Sequence, residues 1–279
     1  MHFVHHAFLL DHIHAIVRLD AMFGDVVGVP IETLFRLIRK GCRVVFSDVM
    51  EICGGAARVS QIAVRRPLAI GRNIDLVTGT DLNEPREQAS TMKYVRLQRP
   101  LVVVMAPTCT PFGPWCHLNK FLNWDGWLRS YEEAAPHGRF CGEVALVQLK
   151  ENRHFLNEQP FPSELYLEPP WPEVRSDSRV VDVVFDQCMT KQRAACGKLA
   201  KKPTELVASD ATLIQPFQNL GCSGDHEHAD TSGGKCSPLQ LWTWDFAQRV
   251  VKGIERLAKT LKVAVVHTAP PAERKGQLQ

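Results

Sequence analysis

Long apolar runs are missing from this 279-residue sequence. A membrane-spanning helix needs about 18–20 consecutive apolar residues; no stretch approaches that length, so no membrane partner is expected. A dominant charge is missing too, since 33 Lys and Arg stand against 30 Asp and Glu, a formal net charge of +3. A polycationic tail is thereby excluded, and any nucleic-acid contact has to come from a local basic face. The candidate is TKQRAACGKLAKKPT, residues 190–204, which reads equally as a solvated loop or as a phosphate contact. The nine cysteines lack the spacing of a stapled secreted scaffold. They suit a reducing, intracellular compartment in which thiols are buried, catalytic or metal-bound. The opening MHFVHHAFLLDHIHAIVRLD has neither a basic start nor a small-residue cleavage site, so a signal peptide is not expected. Its His2, His5, His6, His12 and His14 have the composition of a metal tract, but the favoured reading is a leader or short helix over 1–40.

What is present alternates in period. IETLFRLIRKG (31–41) has helical spacing and stops on Gly41. CRVVFSDVMEICGGAARVSQIAVRR then reads as strand, Gly-rich turn and helix. Strands are expected at Leu68–Ile70, in IDLVTGTDL, and in YVRLQRPLVVVMAPTC, whose apolar run fits a sheet buried on both faces. A helix from Gly142 to about Glu151 feeds the strand HFLNEQP; RVVDVVFD and PTELVASD are further strand candidates. Phe246, Val250, Ile254 and Leu257 line one face of a closing amphipathic helix. The pattern predicts an α/β, Rossmann-like fold: a core over 41–189, a basic Cys/His-rich insertion over 190–237, a helix packing on the core within 238–265, and a disordered tail over 266–279.

Chemistry-bearing residues sit where apolar runs end. MEICGGAAR contains Glu51, Cys53, Gly54, Gly55 and Ala57 between a strand and a helix; by itself it reads first as a common tight turn, and otherwise as a place where glycines let the backbone approach a ligand. It lacks the G-x-G-x-x-G spacing, and the crowding by Ala57 and Arg58 favours a group smaller than a pyrophosphate, such as an amino acid moiety. Asn73 and Asp75 in GRNIDL, and Asp81 and Leu82 in TGTDL, are expected after successive strands, where carboxylates suit a ribose diol and an adenine amino group. Read singly, each is equally a turn or N-cap aspartate. APTCTPFG presents Cys109 after Pro107, followed by Thr110, Pro111 and Phe112; HFLNEQP ends a buried run on Glu158. A thiol beside a carboxyl group is a nucleophile and proton-donor pair. LEPPWPE, with Glu168 to Trp171, reads as a Pro-fixed loop. Cys222, His226 and His228 in CSGDHEH, with Cys188 upstream and Cys236 downstream, form a Cys/His set of zinc-ligand type, or else histidines on a polar surface loop.

The order of Gly-loop, Asp, Asp, Cys and Glu resembles the catalytic domain of the DNA (cytosine-5) methyltransferases. More closely, EICGGAAR, APTCTPFG, NEQP, DQC and CSGDHEH resemble the methyltransferase-like regions in polyproteins of copia-type retroelements; the likeness covers about residues 45–260. Thr108 and Thr110 stand where the family has proline and glutamine around its cysteine. The resemblance implies an S-adenosylmethionine-dependent methyltransferase fold acting on DNA, intracellular and nuclear in a eukaryote. Cys109 would attack cytosine C6 while Glu158 holds and protonates N3, with the base flipped into the pocket. It implies cofactor contacts from Glu51, Cys53, Gly54, Gly55, Ala57, Asn73, Asp75, Asp81, Leu82 and Pro107. Substrate contacts would come from Thr110, Pro111 and Phe112, with Gln192 and Arg193 as the nearest match to a Q-x-R-x-R strand. It also favours Cys188 as the fourth metal ligand beside Cys222, His226 and His228, with zinc as the ion. The rival expectation is a mobile-element-derived module on the same fold that binds nucleic acid or protein without catalysis. The sequence leaves oligomeric state and target site open.

Overall fold

The computed structural model describes residues 43–231, 237–261 and 263–265. The expected leader, its histidine tract, the helix over 31–41, Cys236 and the tail lie outside these residues.

The strands are β1 (Arg43–Val45), β2 (Val49–Ile52), β3 (Ile70–Ile74), β4 (Val102–Met105), β5 (His154–Pro160), β6 (Val181–Asp186), β7 (Pro203–Ala208) and β8 (Val263–Val265). The helices are α1 (Arg58–Ala63), α2 (Pro85–Gln98), α3 (Cys116–Leu122), α4 (Trp124–Lys150), α5 (Trp171–Ser176), α6 (Ala211–Ile214) and α7 (Trp244–Thr260). Six strands form one sheet in the order β3-β2-β4-β5-β7-β6, while β1 and β8 pair separately. β3, β2, β4 and β5 are parallel; β7 runs antiparallel between β5 and β6. This is the mixed α/β sheet expected of a Rossmann-like fold.

Both faces of the sheet are covered, which is why β2 and β4 are buried at every position. Val102 and Val104 point into a core shared with Val59, Phe217, Phe246 and Val250 from α1, the α6 region and α7. Val103 and Met105 point to the opposite core with Val95, Phe140 and Val144 from α2 and α4. Phe185, Phe217 and Phe246 meet at centroid separations of 5.0–5.6 Å, and Trp242 lies 4.3 Å from Phe246. Burying aromatic area of this kind contributes several kcal/mol, on the order of 1.5–3 per large side chain.

Three expectations are corrected. Tyr94–Gln98 is the last part of α2, not the start of a strand. Pro85 opens that helix, Thr91 and Val95 are buried at i, i+4 spacing, and Pro100 stops it. No third strand precedes Asp81: Leu76–Thr78 is a 3-10 turn capped by Asp75, with Leu76 and Val77 exposed. Finally, residues 190–237 are not one inserted lobe, because Pro203–Ala208 is a central strand and Phe217 is fully buried in the core.

Candidate functional site

Sequential strands lie on opposite sides of β2: the chain leaves β2 for β3, then crosses back to β4. Such a reversal opens a crevice at the C-terminal strand ends. A cleft of about 330 Å³ lies there, within the range of small-molecule sites.

The Gly turn forms its floor. Cys53, Gly55 and Ala57 all adopt left-handed backbone conformations, with φ of 55°, 52° and 51°. Glycine takes this region without strain; Cys53 and Ala57 do not. What holds them is a set of polar side chains packed against the turn. Asp75 Oδ2 accepts from Gly55 N at 2.8 Å, and Asn73 Nδ2 donates to Gly55 O at 3.1 Å. Glu51, 1% exposed, accepts from Ser60 N at 2.7 Å; burial pushes its carboxyl above the ordinary range. Gly54 has no room for a side chain, since a Cβ would stand 2.7 Å from both Asn73 Oδ1 and Glu51 Cβ.

Across the cleft, the loop after β4 presents Cys109. Gln159 Nε2 donates to Pro107 O at 2.8 Å, Trp127 Nε1 to Pro111 O at 3.1 Å, and Glu164 N to Phe112 O at 2.8 Å. Phe112 is buried edge-on to Tyr131 at 5.8 Å. Both ends of the loop are therefore pinned, and half-buried Cys109 lies between exposed Thr108 and Thr110. Glu158 lies nearby on β5, two residues past the Val104–Leu156 pair. Its carboxylate receives Lys202 Nζ at 3.4 Å and Gln187 Nε2 at 3.5 Å on Oε1, and Trp242 Nε1 at 3.3 Å on Oε2. Both carboxylate oxygens are thus met by donors.

Of the expected residues, Cys53, Gly54, Gly55, Asp75, Asp81, Leu82, Pro107, Cys109, Thr110 and Glu158 line this cleft. Ala57 instead closes the Gly turn, its N donating to Gly54 O at 2.9 Å, while Glu51 and Asn73 pack against it. Pro111 and Phe112 anchor the Cys109 loop and are buried rather than lining the cleft. Gln192 is buried and Arg193 is exposed with Nη1 donating to Gly197 O at 2.6 Å; neither faces the cleft. The basic loop turns back on itself there.

Sequence reading missed Arg58, Asn83, His137, Lys202 and the Gln240–Trp242 segment, all of which line the cleft. Arg58 donates to Trp242 O and stacks over Trp244 at 4.9 Å. His137, on α4, faces Asn83 Oδ1 at 3.1 Å, and burial holds its imidazole below the ordinary range despite the carboxylates of Asp81 and Asp75. A signal was present for Trp242: an apolar-aromatic LWTW immediately before a strongly amphipathic helix.

The four expected metal ligands form a second site. Ligand atoms of Cys188, Cys222, His226 and His228 all lie within 4.8 Å of one another. Cys222 Sγ is 3.6 Å from His226 Nε2 and 3.4 Å from His228 Nε2. His226 Nδ1 meets Asp225 Oδ1 at 2.8 Å, the outer contact that orients a metal-ligating imidazole. These residues can hold a metal ion. Among the described residues no helix is long and apolar enough to cross a membrane. No protein-family model matches the chain, and no curated protein matches it.

Proposed function

We propose that the chain is an S-adenosylmethionine-dependent methyltransferase that methylates cytosine C5 in DNA, with a structural zinc ion beside the reaction site. One observation carries this reading: the Gly turn, Asp75, Asp81, Cys109 and Glu158 line one cleft at the strand reversal, although up to 105 positions separate them in sequence.

The cleft residues fit the cofactor. Gly55 leaves open space where a side chain would point, so backbone can approach an amino acid moiety. Asp75 suits a ribose diol, and Asp81 and Leu82 suit the adenine edge. Bound there, S-adenosylmethionine supplies an electrophilic methyl group. The chain's own residues handle cytosine. The Cys109 thiolate adds to C6, forming an S–C6 bond and moving the ring electrons towards C5, which becomes nucleophilic. Glu158, held by three donors, positions the N3 and amino edge of the base. Once C5 has taken the methyl carbon, with the sulfonium S–CH3 bond broken to a neutral thioether, a water-borne base takes the C5 proton, the S–C6 bond breaks, and the thiolate leaves as the aromatic ring is restored. On this reading the target base is taken out of the duplex stack to meet Cys109.

The Cys188, Cys222, His226 and His228 donor set, two sulfurs and two imidazoles, suits tetrahedral zinc. Isothermal titration with S-adenosylmethionine tests the cofactor half. Binding that is weakened at least about tenfold, or roughly 1.4 kcal/mol, by Asp75→Ala supports it. Absence of binding by the intact chain favours a non-catalytic binding module.

A further inference from the structure

Metal group and cleft share one turn. Gln187–Thr190 follows β6, and Gln187, Cys188 and Thr190 are all buried. Cys188 is a member of the metal group. The residue before it, Gln187, is fully buried and reaches Glu158 Oε1 at 3.5 Å and Thr204 Oγ1 at 2.9 Å through its amide nitrogen. At the other end of the turn, Thr190 O accepts from Thr243 Oγ1 at 2.6 Å. Thr243 directly follows Trp242, whose indole N–H donates to the other oxygen of Glu158. The turn's backbone also meets Lys202, with Gln187 N donating to Lys202 O at 3.1 Å. All three groups that contact the Glu158 carboxylate are thus fastened to the turn that carries Cys188.

The remaining ligands are fastened to the same place. Cys222 N donates to Asp186 Oδ2 at 2.9 Å, and Ala229 N donates to Leu199 O at 2.7 Å beside His228. An ion joining Cys188 to Cys222, His226 and His228 fixes sulfur and nitrogen positions to within tenths of an ångström. Close-packed interiors pass such constraints on rather than absorb them, and hydrogen bonds already at 3.3–3.5 Å are lost with small displacements.

We propose that the Gln187–Thr190 turn couples ion binding at Cys188, Cys222, His226 and His228 to the position of the Glu158 carboxylate, with Gln187 as the positioning residue. The inference rests on the zinc reading above and on Glu158 as a working group of the cleft. Ion loading seats the carboxylate; ion loss releases it.

Nuclear magnetic resonance of the full chain labelled with 15N at the indoles tests this without any turnover. Trp242 is one of six tryptophans, identified by Trp242→Phe. Zinc stoichiometry is measured on the same samples before and after chelation. The expected result is a displaced or lost Trp242 indole signal on chelation, while Trp171, bonded to Gly138 O on the far core, stays in place. Gln187→Ala and Thr243→Val are expected to bind zinc but to lose most of that response, and Thr243→Ser to keep it. A zinc-loaded protein whose Trp242 signal ignores chelation overturns the coupling, as does a Gln187→Ala protein that responds like the wild type. Failure to take up zinc overturns the metal reading and the coupling together. Neither result bears on covalent trapping of cytosine by Cys109, which tests the methyl-transfer reading separately.

Discussion

Glu51 and Glu158 are both buried carboxylates, and their surroundings set them different tasks. Glu51 accepts from Ser60 N, and burial raises its carboxyl above the ordinary value of 4.5. Below pH 4.5 it is protonated in both folded and unfolded chains. As pH rises, the unfolded chain loses this proton first, so stability falls until pH passes the raised folded value. Glu51→Gln keeps an acceptor for Ser60 N without the charge. Urea denaturation from pH 4 to 7 is therefore expected to show the variant's stability, relative to wild type, rising with pH; a constant difference contradicts this. Glu158 instead has donors from Lys202, Gln187 and Trp242 on its two oxygens. The legible part of the cleft included Cys109, Asp75 and Glu158, because each ends or follows an apolar run and strand ends are where such folds bind ligands. Arg58, His137 and Lys202 reach the cleft from helices and loops by tertiary folding alone. No local period marks them.

At the scale of elements, α7 shows how closely the fold depends on one contact. Its apolar stripe of Phe246, Val250, Ile254 and Leu257 was evident from spacing, and all four are buried. Spacing did not show that Gly253 is the point of closest approach. A Cβ there would stand 2.6 Å from Leu213 O, a backbone atom that cannot swing aside. Gly253→Ala is expected to destabilise the protein by about 1–3 kcal/mol, the usual range for overpacking, although alanine is the better helix former. Denaturant titration measures it; a neutral or stabilising effect contradicts the packing. The same limit explains α2. Tyr94–Gln98 leads directly into an apolar run, so extending the strand backwards was natural, yet burial of Thr91 and Val95 on one face belongs to a helix. The 27-residue α4 was legible only in its second half, because Pro136 interrupts the pattern while the helix continues through it.

For the whole molecule, the alternation of apolar runs and helical stretches was enough to expect a Rossmann-like sheet. It did not show the antiparallel insertion of β7 between β5 and β6, since strand order depends on long-range pairing. That insertion draws the basic stretch into the fold: Lys202 leaves it for the cleft, while Cys188 meets the CSGDHEH loop in the metal group. An ion holding those loops stabilises the entire chain by preferential binding to the folded state. Chelation is accordingly expected to lower Tm by on the order of 5 °C or more, and an unchanged Tm with metal removed contradicts a structural ion. The central claim is that the cleft joins a methyl-donor site to a cysteine that adds to cytosine. Its most direct test is mass spectrometry of the intact protein after incubation with DNA containing 5-fluorocytosine and S-adenosylmethionine. Fluorine at C5 cannot leave as a proton does, so the thiolate stays bonded to C6. The account predicts a covalent protein–DNA adduct that maps to Cys109, requires S-adenosylmethionine and disappears in Cys109→Ala; a protein that binds S-adenosylmethionine and DNA yet forms no adduct would contradict it.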